Sequence, residues 1–286
     1  MADPPFLGIE ESPDPRYLIV PIPYDGTSTY RKGADRGPEA VIAASAQVEL
    51  YDIETNSEPY LAGTAILDEA WDFSSPEAMA ASVRDRFSGL FRDSAGPFPL
   101  ALGGEHSISA GIIEAAAARW TDLTVVQFDA HSDLRDEYEG SRYNHACVMA
   151  RAQDAPAKIF QVGIRSMSAE ETGRLDPART VFADEAVRGG QWIPRMLEAV
   201  EGPVYLTIDL DAFDPSFMGA TGTPEPGGLG WYGVLEGVAA LFREKTVVGA
   251  DIVELCPNGD HGPEFAAAKL AYKIIAYHSA YGGRNG

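Results

Sequence analysis

The stretch Thr124-Val125-Val126-Gln127-Phe128-Asp129-Ala130-His131-Ser132-Asp133 decides how the rest of the chain is read. Its first half is β-branched and apolar, the composition of a short buried strand. Its second half puts two carboxylates and an imidazole directly after that strand. Asp129, His131 and Asp133 alternate, so an extended segment would place all three on one side. Acidic groups converging without a basic partner repel one another, and a divalent cation removes that cost.

The same pattern recurs outward from this point. Together with 123–129, the runs 17–21, 63–67, 98–102, 158–163, 180–182, 203–208 and 247–253 make eight short apolar segments. Helix-like, Ala-rich stretches lie between them, at 107–119, 192–200 and 232–242, and 264–280 reads as a last helix. Strands alternating with helices predict a parallel sheet covered on both faces. No repeat or linker interrupts residues 1–286, so a single domain is expected.

In such sheets, ligands sit outside the carboxyl ends of the strands. Chemistry-bearing residues should therefore follow apolar runs. Gly103-Gly104-Glu105-His106 follows 98–102, and the glycines are read as a tight turn presenting His106. Asp209-Leu210-Asp211 follows 203–208 and offers two more carboxylates. Asp214 stands before Pro215 and reads as a loop-forming residue behind the ligands. Four aspartates and two histidines match the charge of two divalent ions, and oxygen-rich ligation with some imidazole favours manganese. Two such ions about 3.5–4 Å apart lower the pKa of a water between them toward neutrality.

Composition narrows the partners. The 286 residues carry a formal charge of -21 and a pI near 4.5, which disfavours nucleic acid and anionic lipid and favours cationic ligands. Hydrophobic residues make up 45%, enough for a sizeable core. Two cysteines, Cys147 and Cys256, are too few for a disulfide scaffold, so a reducing compartment is expected. They read as buried thiols rather than nucleophiles. His261 and His278 fit no ligand motif. The first residues show no basic and apolar signal segment, and no run is long enough to span a membrane, so a cytoplasmic protein is expected.

The segments GGEHSIS, DAHSDLRDEY, NHACV, TIDLDAFDPS and VELCP, in that order, resemble the ureohydrolase family of arginases and agmatinases. Pro23-Tyr24-Asp25-Gly26-Thr27-Ser28-Thr29-Tyr30-Arg31-Lys32-Gly33 resembles the agmatinase branch, and the likeness runs from about Pro21 to Tyr277. It implies an arginase/deacetylase-like, three-layer α/β/α fold with an eight-stranded parallel sheet and two Mn2+ per chain. By motif match, one ion would be held by His106, Asp129, Asp133 and Asp209. The other would be held by Asp129, His131, Asp209 and Asp211. His145 matches the family's catalytic histidine and suits proton transfer to a departing amine. Glu254 matches the carboxylate that holds a guanidinium. A homo-oligomer, trimer or hexamer, is implied as well.

The implied reaction is hydrolysis of a guanidino group to urea and an amine, with agmatine giving putrescine as the favoured case. Aminopropylagmatine and a guanidino acid are the alternatives, and Arg142 is the candidate clamp for a carboxylate. Asp136, Glu137 and Glu139 are read as receiving the ammonium of an amine tail. Departures at Met218-Gly219-Ala220 and Asn258-Gly259-Asp260-His261 touch the pocket rim and remove no ligand. A metal-binding relative without turnover is the reading from another class. The presence of all six ligands, His145 and Glu254 argues against it.

Overall fold

The computed structural model describes residues 5–67, 69–93, 96–189 and 191–282. Eight strands form one all-parallel sheet: β1 (Tyr17–Ile22), β2 (Thr64–Ile66), β3 (Phe98–Gly103), β4 (Thr124–Phe128), β5 (Lys158–Ile164), β6 (Thr180–Phe182), β7 (Val204–Asp209) and β8 (Val247–Val253). Each falls on one of the eight apolar runs. Their order across the sheet is β2-β1-β3-β8-β7-β4-β5-β6.

The helices divide between the two faces. α1 (Gly37–Ser45), α6 (Trp192–Ala199), α7 (Trp231–Glu244) and α8 (His261–Tyr281) bury apolar side chains on one face. α2 (Pro76–Leu90), α3 (Ile108–Arg119) and α4 (Val148–Asp154) do so on the other. Strand alternation feeds both layers: Tyr17 and Ile19 of β1 join the first cluster, while Val20 and Ile22 join the second. A short α5 (Ala183–Val187) follows β6. The stretches expected to be helical are helices. α1, α2, α4 and α5 were not marked as helices by the sequence, because their apolar residues are interleaved with Gly, Pro and Ser or are too few to show a period.

The strand order has a functional consequence. β3, β8, β7 and β4 are consecutive neighbours, and these are the four strands followed by GGEH, VEL, DLD and DAHSD. Residues separated by up to roughly 150 positions therefore emerge side by side at one sheet edge.

At the opposite end of the molecule, His278 of α8 is 7% exposed and packs on Phe98 with ring centroids 4.2 Å apart. Burial lowers its pKa from 6.5 to about 4. An unfolded chain takes up a proton here below pH 6.5 that the folded chain refuses. The stabilising effect of the buried neutral ring is complete above pH 6.5 and is lost as pH falls toward 4. The stability difference between the protein and its His278→Gln variant should shrink by about 3 kcal/mol across that window. Denaturant unfolding at pH 7.5, 5.5 and 4.5 measures it.

Candidate metal centre

β3 delivers His106 through a close backbone approach. A Cβ on Gly104 would lie 2.0 Å from the Tyr24 carbonyl oxygen, so only glycine fits. Neither Gly103 nor Gly104 has a positive φ. The tight turn read from the sequence is formed without left-handed backbone, and the pair is needed for space. Gly104 N–H donates to Ile22 O at 2.9 Å and Glu105 N–H to Tyr24 O at 2.8 Å, locking the turn to the end of β1.

The alternating row after β4 is not extended. Asp133 takes φ +53°, which turns its carboxylate off the line of His131. Asp133 Oδ2 lies 3.0 Å from His106 Nδ1, whereas His131 Nδ1 lies 2.9 Å from Asp211 Oδ2. The three residues thus serve two neighbouring clusters. After β7 a short 3-10 turn, Leu210–Ala212, carries Asp211 just past Asp209, and Asp209 Oδ1 accepts the Asp211 N–H at 2.8 Å.

Two donor groups result. His106, Asp129 and Asp209 have donor atoms within 4.8 Å of one another, as do Asp129, His131 and Asp211. Asp129 belongs to both. It is fully buried and oriented by Gln127, whose Nε2 donates to its Oδ2 at 2.7 Å. Gln127 is held in turn by Gln161, whose Nε2 donates to its Oε1 at 2.6 Å.

The protons show what this arrangement accepts. Asp251 is fully buried and receives the hydroxyls of Ser109 (2.8 Å), Tyr205 (2.6 Å) and Thr207 (2.6 Å). Thr207, having given its proton to Asp251, can only accept from His106 Nε2 at 2.8 Å. His106 Nδ1 is then a bare lone pair. It is buried without a hydrogen-bond partner, yet carboxylate oxygens of Asp129, Asp133 and Asp209 lie at 3.1, 3.0 and 3.4 Å. Acceptors facing acceptors in a dry site fit a cation. The carboxylates say the same. Burial, then repulsion from Asp211 and Asp129, pushes Asp209 well above the carboxylate range. Burial and Asp129 push Asp133 up to about 7. Full ionisation of the set needs added positive charge.

A cleft of about 260 Å³ opens over these residues, and His145 and Glu254 line it as well. Glu254 follows β8 with φ +68°. Its Oε1 accepts the His106 N–H at 2.7 Å, and its own N–H donates to Gly104 O at 2.7 Å. Burial and the nearby Glu105 raise its pKa to about 8. Burial, then the charges of His131 and His106, lowers His145 to about 4.

A family model described as Arginase, the arginase family, matches residues 15–277. The chain belongs to the arginase family. The N(1)-aminopropylagmatine ureohydrolase of Synechocystis sp. is 40% identical over 275 residues, covering 92% of this chain and 89% of that protein. The agmatinase of Pyrococcus horikoshii is 33% identical over 278 residues, covering 92% of each chain. The solved structure of the agmatine ureohydrolase of Thermoplasma volcanium superposes with a TM-score of 0.84 at 33% identity, covering 96% of this chain and 93% of that one.

Neither the acidic tail loop nor the Arg142 clamp expected from the sequence lines the cleft. Asp136, Glu137 and Glu139 are exposed and do not line the cleft. Asp136 Oδ1 is taken by Arg142 (3.0 Å), Arg151 (3.0 Å) and Arg174 (2.9 Å), so it anchors a loop instead of receiving an ammonium. Arg142 is spent on Asp136 and Asp154 and does not line the cleft either. Arg135 does, with its guanidinium over the Tyr138 ring at 4.5 Å. Asp214 organises its loop, accepting from Ser216, Gly227 and Gly228. Cys147 and Cys256 are buried free thiols, both pushed up by burial, Cys147 to about 12. Sequence reasoning missed Thr207, Asp251, Gln127 and Glu105. Each is polar inside an otherwise apolar run or beside a ligand, and that is the signal that could have found them.

The Thr207 hydroxyl sets which His106 nitrogen is bare, so its removal should weaken metal binding without touching a ligand. Thr207→Val should lower the affinity for the ion at His106 by roughly 10- to 100-fold. Metal titration by calorimetry reads this, and unchanged affinity would remove Thr207 from the account.

Proposed function

We propose that this chain is a binuclear manganese ureohydrolase that splits agmatine into putrescine and urea. The observation that carries the reading is Asp129, shared between two buried carboxylate–imidazole groups at the floor of a cleft that Glu254 and His145 also line. His106, Asp129, Asp133 and Asp209 would hold one ion, and Asp129, His131, Asp209 and Asp211 the other, with manganese favoured by the oxygen-rich set. When bound, the pair supplies Lewis acidity and lowers the pKa of water at the site.

The chain's own residues do the rest. Glu254 has one oxygen committed to the His106 N–H, which leaves the other to receive a guanidinium. Its raised pKa reflects burial without a cation, and a guanidinium beside it would restore the carboxylate. That pairing orients the substrate carbon over the floor of the cleft. His145, in the cleft lining, hands a proton to the departing nitrogen. Aminopropylagmatine is the second reading, favoured by the name of the 40% identical relative. The setting that goes with this function is the cytoplasm and a homo-oligomer, trimer or hexamer. Among the described residues, no helix is long and apolar enough to cross a membrane.

Urea release with manganese present should rank agmatine or aminopropylagmatine far above arginine and short guanidino acids. Glu254→Gln should depress every guanidino substrate to a similar degree, because the group it grips is common to all. No urea from any of them would overturn the reading. Because Asp129 is shared, Asp129→Ala should lose both ions, and elemental analysis showing a fully loaded pair would refute the assignment.

A further inference from the structure

Next to His106 in the chain lies a buried carboxylate that neither donor group uses. Glu105 is 0% exposed. Its Oε1 receives the hydroxyls of Thr27 and Ser107, each at 2.5 Å. Its Oε2 receives the Thr27 N–H at 2.7 Å and the Ser28 hydroxyl at 3.1 Å. Four donors fill the lone-pair positions of a carboxylate, leaving no room for a proton on it. The Thr27 hydroxyl proton is therefore committed to Glu105.

The rest follows from donor counting. Thr27 Oγ1 has only lone pairs left, and two His145 groups meet it: the backbone N–H at 3.1 Å and ring Nδ1 at 3.2 Å. Nδ1 must then carry hydrogen. The other ring nitrogen, Nε2, makes no hydrogen bond among the described residues. We propose that Thr27, held by Glu105, is a positioning residue that keeps hydrogen on His145 Nδ1, so that Nε2 alone carries the catalytic proton. The proposal rests on the reading of His145 as the acid of the reaction.

The step balances without a further reactant. Water adds through its oxygen to the guanidino carbon; as the C–N bond then breaks, its electron pair goes to the departing nitrogen and the added oxygen closes the C=O of urea. The imidazolium gives its Nε2 proton to that nitrogen and is left as the Nδ1–H form that Thr27 accepts from. The proton released as that water adds reloads Nε2. If the wrong nitrogen held the hydrogen, the ring would present the opposite protonation at Nε2 in its neutral state, and reloading would require the ring to rearrange.

The test is a double-mutant cycle on the manganese-loaded full chain, with urea as readout and metal content checked for each variant. His145→Asn should lower kcat by roughly 10²–10⁴-fold with both ions retained. Thr27→Val, nearly the same shape without the hydroxyl, should lower kcat by roughly 10- to 100-fold, with KM changed less than about threefold. Thr27→Ser should recover most of that loss. Thr27→Val placed in the His145→Asn background should cost nothing more, because Thr27 acts only through the ring. If His145→Asn keeps turnover, the acid assignment falls and the proposal with it. If His145→Asn fails but Thr27→Val does not, only the proposal falls. It is overturned equally if Thr27→Val sheds metal, if Thr27→Ser is as poor as valine, or if the penalties add in the double variant.

Discussion

Mutual repulsion among buried acidic groups is the constraint on which the rest of this structure depends. Asp129, Asp133, Asp209 and Asp211 are all buried within a few ångströms of two imidazoles, and no arginine or lysine pairs with their carboxylates among the described residues. Such a cluster is tolerable only where added positive charge enters and where the surrounding fold is rigid enough to hold the donors in place. The parallel sheet supplies that rigidity. Its two apolar layers clamp β3, β8, β7 and β4 side by side, and the donors stand where those strands end.

The polar groups around this cluster obey one repeated rule. A buried carboxylate takes the proton of a threonine hydroxyl, and the threonine oxygen then dictates which nitrogen of an imidazole carries hydrogen. Asp251 and Thr207 do this to His106, leaving Nδ1 bare toward the carboxylates. Glu105 and Thr27 stand in the same order toward His145, with Thr27 at its Nδ1 instead of Nε2. Backbone strain is present here too: Asp133 and Glu254, two of the six described non-glycine residues with positive φ, lie in the left-handed region. A cost of order 1–3 kcal/mol each is sustained only where surrounding contacts over-determine the conformation. Here those contacts are the Asp133 carbonyl, which accepts from Met149 and Ala150 N–H, and the Glu254 N–H bond to Gly104.

The substrate end is built with less commitment. In the acidic loop after Asp133, Asp136 spends its carboxylate on three arginines, and the cleft wall carries Arg135 and Tyr138. The net charge of -21 still draws cations at long range, but salt screens that attraction beyond about 8 Å at physiological ionic strength. Recognition of a tail therefore falls to cleft contacts and not to the overall charge.

The linear chain carried much of this fold, for a local reason. The central strands are buried on both faces and read as apolar runs, the short edge strands are apolar enough to be seen with them, and an acidic motif following such a run marks a strand's carboxyl end. That made His106, Asp129, His131, Asp133, Asp209 and Asp211 legible as a group, and the resemblance added His145 and Glu254. Three things had no local signature. Strand order is one: nothing near Val253 says that β8 lies between β3 and β7, which is what brings Glu254 to His106. Side-chain commitment is another: Asp136 looks free in sequence and is occupied only because Arg142, Arg151 and Arg174 converge on it from separate elements. The last is proton placement on His106 and His145. It depends on threonines roughly 100 or more positions away, and a hydrogen bond's direction is decided by the whole chain of donors behind it, which only the tertiary structure assembles.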